Sequence, residues 1–424
     1  MSQQKSAIMG VLEGFWIRNF KSLKQVGLGT CFPKFVYIDD ETKVLPYQLD
    51  AVTLLTGNVG TGKSSALDAF SFVSDCYRHG VDFACLKRGG YDAIYSHGSK
   101  GSLSFGFHYR KKEEPEAITY ALSIVCAKNK SPFIESELLA YQRGKESLPV
   151  FFLQNGVRSI RYLAPDERIG NAELTKIEFT DYKNLGLASL ESHPRFPVLA
   201  SLRNLFENWV LSDFTPDPAR GLDLSLPRHH ESQRGKNLSG LVGYVLKRYG
   251  AETNTFFQRI ASLLPHVETI LIDSTQTEKT RLAFKMSGIE QPIPITHLSK
   301  GTIRLFAYAI LLEEHDPAPL IILEEPENGL DWLHRAQLMD SMYRTFDNSQ
   351  DSPNLPEQNS QLLLTTHHSD FADSLHPSKV WVFDKNQEGF TVVERASDAL
   401  VLQEMMENGQ PLDSDWFSKR FETR

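Results

Sequence analysis

Residues 52–65 read VTLLTGNVGTGKSS, and this stretch decides the fold. Val52–Thr56 is a short apolar run of the kind that makes a buried strand. It runs into the glycine-rich segment Gly57–Gly62, and Lys63, Ser64 and Ser65 follow. The spelling matches GxxxxGK[ST], a loop whose glycines let backbone N–H groups turn inward around phosphate oxygens. A helix beginning at the bound anion adds the positive end of its dipole. Lys63 brings a charge to the phosphates, and the Ser64 hydroxyl can ligate Mg²⁺. A glycine turn of this spelling also arises by chance. The context speaks for the loop, because Lys63–Tyr77 carries Leu67, Phe70, Val73 and Tyr77 on one helical face, closed by Gly80.

Downstream, Pro319–Glu327 reads PLIILEEPE. A buried strand there delivers Glu324 and Glu325 at its carboxyl end, the edge where open α/β sheets bind ligands. One carboxylate can hold a Mg²⁺ shell, and its neighbour can orient and deprotonate a water. The bland alternative is a solvated acidic turn, which the upstream loop disfavours. A third segment, Thr296–Arg304, sets Ser299 and Gly301 before a helix with Ile303, Phe306, Ala307, Ile310 and Leu311 on its apolar face. Alone it is a plain N-cap. Its place, one helix upstream of the Glu324–Glu325 strand, lets its free N–H groups serve a phosphate.

The rest of the chain fits a soluble globular protein. Its 424 residues are 41% hydrophobic and 23% charged, enough to bury a large core without disulfides or metal staples. The net charge of −8 argues against a dedicated polybasic nucleic-acid binder. Apolar stretches such as Leu320–Leu323 are too short to cross a bilayer as a helix. Met1–Phe15 has no signal-peptide pattern, and Cys31, Cys76, Cys85 and Cys126 show no CxxC pairing, so a reducing cytoplasm with core thiols is expected.

Strands and helices alternate through the last third: helix Ile303–Glu314, strand Leu320–Leu323, helix Leu330–Phe346, strands Leu362–Thr365 and Val380–Phe383. This alternation implies a parallel sheet covered on both faces. Ser102–Tyr109 and Ala117–Ala127 read as antiparallel strands about a charged turn. Arg195–Leu264 looks mainly helical, apart from the Pro-, Arg- and His-rich loop Asp213–Lys236, and Asp347–Ser360 is a polar linker. Three divisions follow: an N-terminal lobe over 1–180 with an antiparallel β subdomain, a mainly helical insertion over 181–290, and a C-terminal lobe over 291–424.

Taken together the motifs resemble a known family. LSKGT (Leu298–Thr302) resembles the signature motif of ABC-type ATPases. EEPENGLD resembles a Walker B strand end with a D-loop that closes on Asp331. Thr365-Thr366-His367 resembles the switch-histidine segment, and IRNFKSLKQV is similar to the first strands of RecF, SMC and Rad50-like ATPases. With the Arg88–Gly90 RGG and the TTHHSDF segment, the set resembles the soluble ATPases of AAA domain class 21. Many of those act in phage-defence systems of the OLD, Septu-like or PARIS-like kind. The resemblance covers roughly residues 14–110 and 236–385.

The resemblance implies an α/β fold, an ABC-type P-loop ATPase head with a parallel core sheet, an antiparallel N-terminal β lobe and a helical insertion. It implies ATP and Mg²⁺ as cofactors. Gly57, Asn58, Gly60, Thr61, Gly62, Lys63, Ser64 and Ser65 would bind phosphates, with Ser64 and Glu324 on the metal. Glu325 would be the catalytic base and His367 the sensor of the γ-phosphate. Ser299, Gly301 and Asp331 would reach nucleotide across an ATP-dependent homodimer, or an assembly of dimers.

Departures from the pattern are Glu324 where many relatives carry Asp, Lys300 and Thr302 within the signature, and His368 after His367. Gln142 and Gln154 are both candidates for the Q-loop glutamine. After Val380–Phe383 the remaining segment looks too short for the nuclease domain of OLD enzymes, and Asp384, Glu388 and Glu394 look like surface groups. The implied function is a nucleotide-dependent sensor and scaffold in antiviral defence, working with a separately encoded effector. The alternative is a RecF/SMC-like repair ATPase that clamps DNA; Arg158–Arg161, Arg228–Arg234 and Arg110–Lys112 could touch nucleic acid or a partner, but solvated loops are the favoured reading. A membrane-transporter subunit is the weakest reading.

Overall fold

A computed structural model describes residues 10–30, 48–111, 117–127, 130–143, 146–154, 157–161, 174–178, 181–189, 202–203, 205–207, 209–212, 245–273, 281–313, 319–346, 360–368 and 375–398. The strands of the N-terminal half are β1 (Gly10–Phe20), β2 (Leu23–Gly29), β3 (Val52–Thr56), β4 (Leu103–Lys111) and β5 (Ala117–Val125). They continue as β6 (Phe133–Arg143), β7 (Glu146–Gln154), β8 (Val157–Arg161), β9 (Leu174–Glu178) and β10 (Val210–Ser212). The C-terminal half supplies β11 (Val267–Asp273), β12 (Arg281–Met286), β13 (Ile293–Pro294), β14 (Leu320–Glu324), β15 (Gln361–Thr365), β16 (Val380–Lys385) and β17 (Thr391–Arg395). The longer helices are α1 (Lys63–Leu86), α2 (Thr253–Ser262), α3 (Lys300–Leu312) and α4 (Trp332–Phe346).

The central sheet runs β10-β14-β15-β3-β16-β17. Its first five strands pair in parallel and β17 returns antiparallel to β16. Strand order therefore sets the ends of β14, β15 and β3 side by side on one edge. Alternate residues of each strand feed different cores. Leu55, Leu320, Ile322, Leu363, Trp381 and Phe383 join α1 and the β lobe. Val52, Leu54, Ile321, Leu323, Leu362, Leu364, Val380 and Val382 join α2, α3 and α4. A parallel sheet buried on both faces explains why these strands are apolar throughout rather than alternating.

The β lobe is an antiparallel sheet in the order β2-β1-β4-β5-β6-β7-β8-β9. It packs on α1 through aromatic contacts, Phe15 to Phe70 edge-on at 4.6 Å and Phe72 to Phe105 tilted at 5.2 Å between ring centres. The Gln361 side chain ties the two sheets. Its Oε1 accepts from Leu12 N at 2.6 Å and its Nε2 donates to Leu12 O at 3.0 Å.

Two details differ from the sequence expectation. Gly80 does not close α1. It takes φ 83°, kinks the helix, and the helix resumes to Leu86. The segment expected to be mainly helical also contains β10 and the antiparallel pair β11–β12, because Ile270, Leu282 and Phe284 find a core against α2 and α3. Cys76 and Cys85 are buried as expected, whereas Cys126 is half-buried. Cys31, Asp213–Lys236, Arg228–Arg234 and most of Asp347–Ser360 lie outside the described residues. Among those described, no helix is long and apolar enough to cross a membrane.

Candidate functional site

The loop after β3 takes the conformation that its glycines permit. Gly57, Gly60 and Gly62 have φ of 139°, 83° and 106°. A Cβ at Gly57 would sit 2.1 Å from Phe383 O, and one at Gly62 would sit 2.4 Å from Thr391 Oγ1, so neither position has room for a side chain. Thr391 holds the loop from outside: its hydroxyl donates to Thr61 O at 2.7 Å and lies 2.9 Å from Ser22 Oγ. Helix α1 begins at Gly62 with no side-chain cap. Its first N–H groups are thus left for an external acceptor, as an anion site requires.

Lys63 is 5% exposed and donates to Gly57 O at 2.6 Å and Asn58 O at 2.9 Å. Burial pushes its ammonium down from the ordinary lysine value, while Glu325, Glu324 and Glu327 oppose that shift. Lys63 is therefore within electrostatic reach of three carboxylates from the end of β14. Ser64 and Asn58 are exposed and Ser65 is half-buried. The groups that a phosphate could use are an uncapped helix start, a buried lysine held by carbonyls it can exchange for phosphate oxygens, and the exposed Ser64 hydroxyl beside it.

At the end of β14 the chain turns sharply. Glu325 sits at φ 44°, a left-handed conformation that a non-glycine residue rarely adopts. Its N–H donates to Thr365 O at 3.1 Å and lies 3.2 Å from Thr365 Oγ1, which anchors the turn to β15. Its carboxylate receives Asn328 Nδ2 at 2.5 Å on Oε2, and His367 Nδ1 lies 3.1 Å from Oε1. Burial pushes the Glu325 carboxyl up, but the Asn328 amide, His367 and Lys63 outweigh it and hold the group below its ordinary value. Glu325 is thus an ionised base in contact with the residue expected to sense phosphate.

Glu327, which the sequence presents only as part of the acidic turn, also faces this cluster. It is fully buried, and burial raises its carboxyl above the usual range despite the Thr366 hydroxyl donated to Oε1. Thr366 Oγ1 also accepts from His368 N at 3.0 Å, so one hydroxyl couples the β14 turn to the histidines. The doubled threonine before the two histidines was the available signal, since a buried hydroxyl needs partners.

Ser299 caps α3, accepting from Thr302 N at 3.1 Å. Gly301 lies against the turn after Glu327, where a Cβ would be 3.1 Å from Gly329 O and 3.3 Å from Leu330. Asp331 caps α4: His334 N donates to Oδ1 at 3.0 Å, and His334 Nδ1 lies 2.5 Å from Oδ2. The structure therefore brings the glycine loop, Lys63, Glu324, Glu325 and His367 to one sheet edge. It sets Ser299, Gly301 and Asp331 on a neighbouring surface beside the 328–331 turn. Gln142 and Gln154 lie on β6 and β7 of the antiparallel lobe. Arg110 is bound to Glu13 at 2.6 Å.

The family described as "AAA domain, putative AbiEii toxin, Type IV TA system" matches residues 171–373. The match begins after the glycine loop, so the loop is an independent argument. No curated protein matches the chain. Among solved structures the chain is similar to the SMC head domain from Thermotoga maritima, with 14% identity and a TM-score of 0.42 over 91% of this chain and 98% of that one. It is also similar to an Smc head bound to the C-winged helix domain of ScpA, with 15% identity and a TM-score of 0.47 over 92% and 100%. A further match is an Smc head with an extended coiled coil, bound to the C-terminal domain of ScpA derived from Pyrococcus furiosus. It has 14% identity and a TM-score of 0.47 over 94% and 100%. The chain thus carries an AAA-domain match over residues 171–373 and, outside that match, a glycine loop at the end of β3, the strand beside β15.

Proposed function

We propose that this chain hydrolyses ATP at sites shared between two copies of itself and uses that cycle as a sensor and scaffold in antiviral defence. The observation that carries the hydrolytic reading is the convergence of Lys63, Glu325 and His367 at adjacent strand ends, with 3.1 Å between the last two. Lys63 exchanges its loop carbonyls for phosphate oxygens. Ser64 and Glu324 hold Mg²⁺, which when bound neutralises phosphate charge. Glu325, kept ionised by Asn328 and His367, orients and deprotonates the attacking water. His367 reports the γ-phosphate to the Glu325 turn.

Ser299, Gly301 and Asp331 serve the nucleotide of a facing copy, since their own chain directs Gly301 against Gly329 and Leu330. ATP then favours a two-fold homodimer and hydrolysis loosens it. The division into 1–180, 181–290 and 291–424 fits this cycle, with the outer segments building the site and the middle one available to a partner. The family description names a toxin of a type IV toxin–antitoxin system, which favours a conflict role with a separately encoded effector over housekeeping repair.

The experiment mixes a Lys63→Ala chain with a Ser299→Arg chain, each inactive alone. One site of the heterodimer is then intact, so nucleotide occupancy and up to half of the turnover return. Heterodimers that recover neither would count against shared sites. Purification from the native host separates the roles. A dominant second polypeptide supports the scaffold, and salt-sensitive DNA binding without one supports a repair clamp.

A further inference from the structure

The switch segment and the β14 turn share a second cluster of donors. Glu327, His367 and His368 each offer one ligand atom, and these atoms lie within 4.8 Å of one another. Glu327 is fully buried, and its Oε2 has no hydrogen-bond partner. Leaving a buried carboxylate oxygen unsatisfied is costly, so a ligand that takes it up is favoured. The two imidazoles lie together, with ring centres 4.3 Å apart and planes inclined by 33°. Glu325 faces His367 Nδ1 at 3.1 Å. A carboxylate on one ring nitrogen orients an imidazole and leaves the other nitrogen's lone pair for a metal. His368 can give a ring nitrogen in exchange for the long 3.3 Å contact with Arg335 Nη1.

We infer that Glu327, His367 and His368 form a site for a divalent transition metal of the Zn²⁺ class, distinct from the Mg²⁺ position of the nucleotide. Two imidazoles and one carboxylate suit zinc, whereas Mg²⁺ prefers oxygen donors. Tetrahedral zinc with bonds of about 2.0–2.1 Å sets its donors roughly 3.3–3.5 Å apart, so ligand atoms at the present limit of 4.8 Å close by about 1.4 Å. Three protein ligands leave a fourth position open to water or a phosphate oxygen. Occupancy holds His367 away from its sensing position and so inhibits turnover. The inhibition rests on the hydrolytic reading above, but metal binding itself does not.

The test is a Zn²⁺ titration of the nucleotide-free full chain against a chromophoric chelator. One tight equivalent per chain is expected. His368→Ala and Glu327→Gln each weaken it by at least ~10-fold, and Ser64→Ala leaves it unchanged. Co²⁺ in place of Zn²⁺ gives visible d–d absorption that disappears in His368→Ala while circular dichroism shows the variant folded, which separates a lost ligand from a lost fold. If the equivalent binds as tightly in His368→Ala and Glu327→Gln as in the parent, or if no equivalent binds, the site is overturned. Ser64→Ala removing the zinc would also overturn it, by assigning the metal to the nucleotide position. Zinc binding as expected without loss of ATPase at excess Mg²⁺ would overturn the inhibitory role alone. An inactive parent chain that still binds zinc would count against the hydrolytic reading and leave the metal site standing.

Discussion

Two buried polar clusters, one in the β lobe and one at the edge of the parallel sheet, are built on opposite principles. Around Glu13 every charge has its complement. Oε1 receives Arg110 Nε at 2.6 Å and Gln48 Nε2 at 2.8 Å, Oε2 lies 3.2 Å from His108 Nε2, and His108 Nδ1 lies 3.0 Å from Thr119. At the edge of the parallel sheet, Glu325 has a left-handed backbone, a Glu327 oxygen is orphaned, and Lys63 is spent on backbone carbonyls. A closed network holds two strands together. An open, strained one is held in place by the surrounding fold and keeps polar groups that a ligand could take up.

Lys63→Ala should have the largest effect on the open cluster. Nucleotide-dependent turnover should fall to background while circular dichroism and melting temperature stay near those of the parent, because the lysine bonds only to its own loop. Unchanged turnover in a folded variant would remove the phosphate-loop assignment. Glu325→Gln should bind ATP yet turn it over at least ~10²-fold more slowly, the range for a lost general base. Glu324→Gln should instead weaken Mg²⁺ dependence, and the opposite pattern in steady-state kinetics would exchange the two roles.

Glu13→Ala tests the closed cluster. It should lower stability in denaturant unfolding by removing the buried carboxylate that His108 and Arg110 face, by roughly 1–3 kcal/mol because Arg110 is partly exposed, with turnover per folded molecule unaltered. A loss of activity without a loss of stability would show that the β lobe takes part in the chemistry.

The smallest effect is in pH, where the clusters have opposite signs. Burial pushes Glu13 up, but His108 and Arg110 outweigh it and leave the carboxyl below 4.5. Its contribution is complete above that value and is lost as pH falls through the lower folded value. Glu327 is raised above 4.5 by burial, so its contribution is complete below that value and is lost as pH rises through the folded one. Thermal melts should therefore show Glu13→Gln flattening the acid arm and Glu327→Gln flattening the opposite arm. Equal slopes in parent and variants would contradict both assignments.

Much of this was legible in the residues. The glycine loop, the acidic strand end and the strand–helix alternation follow from local spelling, since a buried parallel strand must be apolar and a phosphate loop must have glycines. Helix α1 was harder. Leu67, Phe70, Val73 and Tyr77 are buried as the helical period requires, but Phe72 and Cys76 are buried too, because the helix lies between two sheets. Its continuation past Gly80 depends on residues 181–185, where Lys183 O accepts from Val81 N at 2.8 Å, and no local pattern records that.

The sequence by itself offered Gly57–Ser65 and Glu324–Glu325 as candidates to meet phosphate, because these are short-range patterns whose chemistry is in their side chains. Tertiary structure alone decided that β15 lies between β3 and β14, and so that His367 meets Glu325 while Thr366 bonds Glu327. Strand order is set by burying both faces of the sheet at once. That is a sum over many weak apolar contacts distant in the chain, and no single segment contains it.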